Sequence, residues 1–205
     1  MSILKATKDN IRFASKIVKR GGIVIYPTET VYGLGCNPFN IKAVQQILEA
    51  KRNRKKPLPI LAANIKDVKK VAQLSLKGKK LAEKFWPGPL TIIFPKKPTL
   101  PNIVTFDRDS VGLRIPDNNV ALQLIRLCGG LLIGSSANRT REKPPRTVQE
   151  ISEELIEIVD IILDGGSGVH GIPSTVVDLT AEKPRILREG PISLKELMNS
   201  LAFNP

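Results

Sequence analysis

Residues 21–35 read GGIVIYPTETVYGLG, and this stretch decides the fold because its apolar run ends abruptly in a proline, hydroxyl side chains and glycines. The β-branched residues 23–25 predict a short buried strand. A proline cannot donate a hydrogen bond to a sheet, so the strand ends there, and Thr28 and Thr30 follow a rigid strand end. Open α/β sheets bind ligands at such ends, although a plain strand and turn is the alternative for this stretch taken alone.

A second stretch repeats this pattern. Residues 131–138 read LLIGSSAN, another short apolar strand that runs into small hydroxyl and amide side chains. Around both stretches, segments with helical spacing of apolar residues alternate with short apolar segments that Gly or Pro bounds. The alternation predicts an α/β fold, a twisted open mixed sheet flanked by helices, built as a single domain over residues 1–205. We expect the two polar strand ends to face each other.

Composition narrows the class of protein. No apolar run is long enough to span a membrane, and the N-terminus has no apolar leader segment, so a cytoplasmic protein is expected. Cys36, Cys128 and His170 are too few and too scattered to predict a metal site, and the cysteines are expected to be reduced and structural. The chain contains neither a P-loop nor a GxGxxG motif, so any nucleotide site is a non-standard one.

Positive charge is concentrated in one half of the chain. Residues 1–97 contain 21 Lys and Arg against 5 Asp and Glu, whereas residues 98–205 contain 11 against 14. A positive field of this kind attracts polyanions, either a nucleic acid or the phosphates of a nucleotide. Lysine-rich surfaces also serve solubility or thermal stability, so the charge alone leaves these alternatives open.

Three local patterns give further predictions. Residues 51–56 contain five cations that end at a proline, either a solvated surface or a cluster that converges on an anion. Arg114 lies inside an apolar strand and needs an anionic partner, which is either a structural carboxylate or a ligand. Thr147-x-x-Glu150 predicts a capping box at the start of a helix whose glutamates are solvated, and Trp86 is expected in the core.

Six separated segments together resemble the YrdC-like family of threonylcarbamoyl-AMP synthases. They appear in the family's order over nearly the whole chain: PTETVYGLG at 27–35, the Lys51/Arg54 run before Pro57-Leu58, WPGPLT at 86–91, SAN at 136–138, Ser174-Thr175, and LREGP at 187–191. The resemblance implies the YrdC-like fold with a concave basic cavity.

The resemblance also implies a reaction and a set of ligands. L-threonine, bicarbonate and ATP, with Mg²⁺, would give threonylcarbamoyl-AMP and pyrophosphate, and a partner transferase machinery would pass the threonylcarbamoyl group to adenosine 37 of tRNA. The threonine ligands would be Thr28, Arg114 and Ser174. No metal ligand is implied among the protein side chains, and the implied ATP ligands are Lys51, Arg52, Arg54, Ser110, Gly134, Ser136, Asn138 and Arg188.

The basic run departs from the family pattern. The family usually shows Lys-x-Arg, whereas in this chain Arg52 and Arg54 bracket Asn53, which leaves open which arginine meets the phosphates. The sequence also allows two rival functions. One is a non-enzymatic module that binds double-stranded RNA or tRNA, and the other is a carbamoyl-adenylate step in hydrogenase maturation. The second is disfavoured because the chain matches the short, single-domain form of the family.

Overall fold

The computed structural model describes residues 2–52, 56–166 and 171–202. The strands within these residues are β1 Ser2–Lys5, β2 Val24–Tyr26, β3 Gly33–Gly35, β4 Ile60–Ala62, β5 Leu90–Pro95, β6 Ser110–Arg114, β7 Leu131–Ile133, β8 Ser135–Ser136, β9 Ile161–Asp164, β10 Thr175–Asp178 and β11 Arg185–Arg188. The helices are α1 Lys8–Lys19, α2 Ile41–Ala50, α3 Ile65–Val71, α4 Leu76–Phe85, α5 Asn102–Thr105, α6 Asn119–Leu127, α7 Glu153–Ile158 and α8 Leu194–Ala202.

The strands form two mixed sheets, whereas the sequence predicted one. The first sheet has the order β1-β9-β2-β3-β8, in which β1, β9 and β2 run parallel. The second has the order β11-β10-β5-β6-β4-β7, in which the pairs β10/β5 and β6/β4 are parallel. The predicted class, a mixed sheet flanked by helices, is therefore confirmed in a two-sheet form.

A single glycine carries the chain from one sheet to the other. β7 pairs with β4 in the second sheet and β8 pairs with β3 in the first, and only Gly134 separates them. The Gly134 N–H donates to the Pro59 carbonyl oxygen at 2.9 Å. A Cβ at Gly134 would overlap the Leu61 Cγ, so the crossing leaves no room for a side chain.

Side-chain caps fix where several helices begin. Asn40 accepts the Ala43 N–H at the start of α2, and Asn118 accepts the Ala121 N–H at the start of α6. Before α8, the Ser193 hydroxyl accepts the Glu196 N–H while the Glu196 carboxylate accepts the Ser193 N–H, which is a complete capping box. Local sequence therefore sets these boundaries.

The prediction of a capping box at Thr147 is wrong. Only a single 3₁₀ turn, Val148–Glu150, forms there, and the Thr147 side chain makes no capping hydrogen bond. The Glu150 carboxylate instead accepts the Arg146 N–H at 2.6 Å, one residue too early for the motif. The glutamates at 153, 154 and 157 are exposed, as expected, and Glu154 forms an ion pair of 2.7 Å with Arg139.

The predicted core residues are buried. Trp86 is 9% exposed and its Nε1–H donates to the Leu90 carbonyl oxygen, which confirms a packing role. Cys36 is buried and Cys128 is partly buried, and both are free thiols. Among the helices that the structure describes, none combines the length and the apolar character that a membrane span requires.

Candidate active site

The polar strand ends of both sheets open onto one cavity of about 610 Å³. This volume lies in the range of small-molecule sites. The first sheet contributes Thr28, Thr30, Gly33, Ser135 and Ser136 to the lining; the second sheet and its loops contribute Lys56, Thr91, Arg108, Ser110, Gly112, Arg114, Ser174, Asp178 and Arg188. The expectation that the two polar stretches share one site is confirmed by this geometry.

Alternation along the strands of the second sheet explains which residues reach the cavity. Successive side chains of a strand point to opposite faces, so every second residue shares a face. On β6 the lining residues are Ser110, Gly112 and Arg114, and on β5 they are Thr91 and Ile93. One face of the second sheet is thus the floor of the cavity.

The loop after β2 is held by its own hydroxyls. The Thr28 Oγ1 donates to the Val31 carbonyl oxygen at 2.6 Å and accepts the backbone N–H groups of Thr30 and Val31. The Thr30 hydroxyl lies 3.0 Å from the Thr28 hydroxyl and accepts from Arg114 Nη1 at 2.9 Å. Because the Thr28 hydroxyl donates to Val31, the Thr30 hydroxyl donates to Thr28. Arg114, Thr30 and Thr28 therefore form a chain of hydrogen bonds that ends at the Val31 carbonyl oxygen.

Arg114 is buried beside a carboxylate. Its Nη2 lies 3.7 Å from the Glu29 Oε2, and the two side chains are 7% and 12% exposed. Within the described residues, neither Glu29 oxygen has a hydrogen-bond partner, and the Arg114 Nε has none. Burial lowers the pKa of Arg114, and the charge of Glu29 opposes that shift. Arg114 therefore has a structural carboxylate beside it, held at a distance that leaves hydrogen-bonding capacity unused, and a ligand carboxylate stays a prediction.

Ser174 lies at the centre of a second polar group. Its hydroxyl is 2.8 Å from the Thr91 hydroxyl and accepts from Arg188 Nη2 at 3.1 Å. Arg188 Nε also donates to the Ser174 carbonyl oxygen at 2.9 Å. Desolvation of the guanidinium within the cavity, together with the positive charge of Arg114, lowers the pKa of Arg188, although the residue as a whole is exposed. The two guanidinium groups therefore act on each other across the cavity.

Lys51 is buried at the end of α2 instead of facing the cavity. Its side chain is 1% exposed, and its ammonium donates to the carbonyl oxygens of Ser136 and Asn138. The Lys51 carbonyl oxygen in turn accepts from the Thr140 hydroxyl at 2.7 Å. Lys51 therefore ties α2 to the segment that follows β8.

The structure brings together most of the predicted site residues. Its cavity lining includes Thr28, Arg114, Ser174, Ser110, Gly134, Ser136 and Arg188. It does not bring Lys51, Arg52 or Asn138 to that lining, and Arg54 lies outside the described residues, as does His170. The role of each of these residues as a ligand stays a prediction.

Sequence reasoning missed several lining residues. Lys56 belongs to the basic run but was not singled out, and Arg108 lies in the long connection before β6. Gly112 and Thr91 alternate with core residues along their strands, and this alternation was the sequence signal that could have identified them as lining residues. Asp178 is the single carboxylate among the described lining residues, against four cations, so the cavity is electropositive.

An electropositive cavity at strand ends, lined by hydroxyls and without a His or Cys among its described residues, is typical of α/β proteins that bind anionic small molecules. Comparison with known proteins agrees. The Sua5_yciO_yrdC family model, described as "Telomere recombination", matches residues 16–190. The chain belongs to the Sua5/YciO/YrdC family.

Two curated relatives are named threonylcarbamoyl-AMP synthase. The Pyrococcus abyssi protein is 38% identical over 91% of this chain, and the chain spans 56% of its length. The Coxiella burnetii protein is 36% identical over 86% of this chain and 97% of its own length. The names of these relatives favour the synthase interpretation over a non-enzymatic RNA-binding module.

A solved structure has the same fold. The crystal structure of P. abyssi Sua5 complexed with L-threonine superposes with a TM-score of 0.94 at 35% identity, and covers 98% of this chain and 61% of that one. The predicted family and fold are confirmed by these comparisons, whereas the single-domain boundaries stay a prediction.

Proposed function

We propose that the chain is a threonylcarbamoyl-AMP synthase, which joins L-threonine, bicarbonate and ATP. The observation that carries this proposal is the cavity in which Arg114, Ser174 and the Thr28 loop lie with Ser110, Ser136 and three further cations. Relatives with this name and a relative bound to L-threonine support it.

The chemistry has two steps that balance. The threonine amine attacks the carbon of bicarbonate, an N–C bond forms, and the bicarbonate hydroxyl leaves as water with a proton from the amine. A carbamate oxygen then attacks the α-phosphorus of ATP, an O–P bond forms, and the bond to the β-phosphate breaks to release pyrophosphate. The nucleophile of the second step is already an anion, so the site needs positioning and charge neutralisation instead of a histidine base.

The residues of the cavity suit these tasks. Arg114 would pair with the threonine carboxylate, because a guanidinium recognises a carboxylate through parallel hydrogen bonds. Lys56 and Arg108 supply positive charge for the phosphates, and the hydroxyls of Ser110 and Ser136 line the same cavity from its two walls. The walls of the two sheets hold both substrates close together, and this proximity lowers the barrier for the attack on phosphorus.

Mg²⁺ is expected with ATP. Among the described residues, no cluster of His, Cys, Asp and Glu could hold a metal ion on its own. Mg²⁺ does not need such a cluster, because it commonly binds through substrate phosphates, water and one or two carboxylates. If the protein contributes a ligand, Asp178 is the carboxylate of the described lining that would do so. When bound, the ion would neutralise phosphate charge.

We also propose that the product supplies the threonylcarbamoyl group for tRNA through a separate transferase machinery, and that this occurs in the cytoplasm, where ATP and tRNA are available. Direct contact with tRNA is part of the proposal and rests on the basic N-terminal half of the chain.

The test is an assay of pyrophosphate release with mass detection of the adenylate. We expect both products only when threonine, bicarbonate and ATP are present together. Each substrate is omitted in turn, and serine and valine replace threonine as matched controls. Pyrophosphate release that persists without threonine would instead indicate ATP hydrolysis and contradict the proposal.

A further inference from the structure

The outward side of α1 is almost entirely cationic. Seven residues between positions 8 and 20 are exposed, and the helical repeat places all of them on one side of the helix. Two of these residues are Asp9 and Phe13. The other five are cations: Lys8, Arg12, Lys16, Lys19 and Arg20. The helix therefore presents to solvent a row of positive charge about 18 Å long.

The row continues across the ends of two other helices. Burial raises the pKa of the Cys128 thiol and the charge of Lys19 opposes that shift, so the ends of α6 and α1 lie close together. The next residue, Gly129, accepts from the Lys70 Nζ of α3 at 3.3 Å. We call this surface the basic band. Its cations are all exposed: Lys8, Arg12, Lys16, Lys19 and Arg20 at α1, Arg126 on α6, and Lys66, Lys69 and Lys70 on α3.

The basic band has few counter-ions. Among the residues that the structure describes, two of its nine cations have a carboxylate within 4.0 Å: Arg12 with Asp9 at 3.8 Å, and Lys70 with Asp67 at 2.6 Å. Surfaces that use charge for thermal stability combine both signs in networks of ion pairs. The excess of cations in the band does not follow that pattern.

The charges on α1 are unfavourable for the helix that carries them. Lys8, Arg12, Lys16 and Arg20 follow one another at intervals of four residues, and like charges at this spacing repel each other. Lys8 also lies in the first turn, where the helix dipole disfavours a cation. A bound polyanion would compensate both effects, so the arrangement favours a polyanionic partner.

The chemistry of the band favours the phosphate backbone of a folded RNA. A helix that binds a membrane surface inserts its apolar face, but Ile11, Ala14 and Val18 of α1 are buried in the core. A site for single strands stacks bases on several aromatic side chains, and α1, which the structure describes in full, exposes Phe13 alone. Lysines and arginines in a row, in contrast, neutralise backbone phosphates whatever the base sequence.

We propose that the basic band binds the phosphate backbone of tRNA, at a surface separate from the cavity. This inference rests on the proposed function, because tRNA is the acceptor for which the adenylate is made. None of the nine cations lines the cavity, so the cavity stays open to threonine and ATP while the RNA is bound. A synthase that holds tRNA in this way releases its adenylate near the acceptor.

Fluorescence anisotropy with an unmodified tRNA transcript tests the band. The α1 variant combines Lys8→Gln, Arg12→Gln and Lys16→Gln, which removes three exposed charges from the band. The matched control removes three exposed charges from α2, α4 and α8, outside both the band and the cavity lining. It combines Lys42→Gln, Lys79→Gln and Lys195→Gln. Both variants therefore have a net charge three below the wild-type +13.

We expect the α1 variant to bind tRNA about tenfold or more weakly than the wild type at about 0.1 M KCl. The slope of log affinity against log salt concentration should become shallower by about two to three, because each phosphate contact contributes close to one to that slope. The control should bind within about twofold of the wild type, since salt screens charges far from the contact. A saturating non-hydrolysable ATP analogue should leave the tRNA affinity unchanged.

Equal losses in the two variants would overturn the inference, because binding would then follow net charge instead of the band. Displacement of tRNA by the ATP analogue, or no affinity of the wild type for tRNA, would overturn it as well. Binding to vesicles of phosphatidylglycerol and phosphatidylcholine without binding to tRNA would assign the band to a membrane.

The pyrophosphate assay distinguishes these results from failure of the proposed function, because that assay contains no RNA. We expect the α1 variant to release pyrophosphate at the wild-type rate, since its three substitutions lie outside the cavity lining. Thermal unfolding of both variants confirms that they are folded.

Discussion

The Lys51 ammonium donates a hydrogen bond to the Ser136 carbonyl oxygen at 2.6 Å, between residues 85 positions apart in the sequence. The basic run and the second polar strand end are therefore in direct contact, as a shared site requires. Lys51 is 1% exposed and holds the Ser136 segment of the cavity in place, and its role as an ATP ligand stays a prediction.

Lys51→Met should destabilise the fold and reduce activity together. The variant keeps the apolar stem but leaves the carbonyl oxygens of Ser136 and Asn138 without their charged donor, which costs about 3 kcal/mol of unfolding free energy. The same change at the exposed Lys66 is the control and should be neutral. Urea denaturation measures both variants, and equal midpoints would rule out a structural role for the Lys51 ammonium.

Glu29→Gln should make the stability of the protein more dependent on threonine. Removal of the carboxylate leaves the buried charge of Arg114 uncompensated, which lowers the free energy of unfolding by about 3 kcal/mol. A bound threonine carboxylate then replaces the missing charge, so threonine should raise the melting temperature more in the variant than in the wild type. Glu49→Gln, a change on α2 away from the cavity lining, is the control. Identical threonine-induced shifts would contradict a charge-balancing role for Glu29.

Gly112→Leu should block the cavity floor while the sheet remains folded. A Cβ at Gly112 would meet only the Thr91 Cγ2 at 3.2 Å and more distant apolar atoms, so the larger side chain extends into the cavity. We expect KM for threonine or ATP to rise by about tenfold or more, with a small effect in Gly112→Ala, because binding depends on the free volume. A leucine variant with wild-type KM values would show that the ligands do not use this floor.

Local chemistry made much of the fold predictable. The proline after β2 and the asparagines before α2 and α6 determine where these elements end or begin, and each acts within a few residues of itself. The capping box at Thr147 failed because the backbone there forms a single 3₁₀ turn, a preference that the four-residue pattern does not encode.

The site was less predictable than the fold, because its decisive contacts join distant parts of the chain. A run of cations such as residues 51–56 usually lies on the surface, whereas the buried Lys51 ammonium is satisfied by carbonyl oxygens of β8 and of the segment after it. The bond between Arg188 and Ser174 likewise depends on the pairing of β10 with β11. Side-chain alternation does predict which residues share a face, but it does not predict which strands become neighbours.

The crossing at Gly134 joins the two walls of the cavity along one side. One uninterrupted stretch, from β7 through Gly134 to β8, belongs to both walls. Leu61 packs so closely against Gly134 that no free space remains at the crossing. The two walls are therefore covalently continuous along that side of the cavity. Widening to admit a large ligand has to come from the opposite rim, where β11 is the outermost strand and carries Arg188.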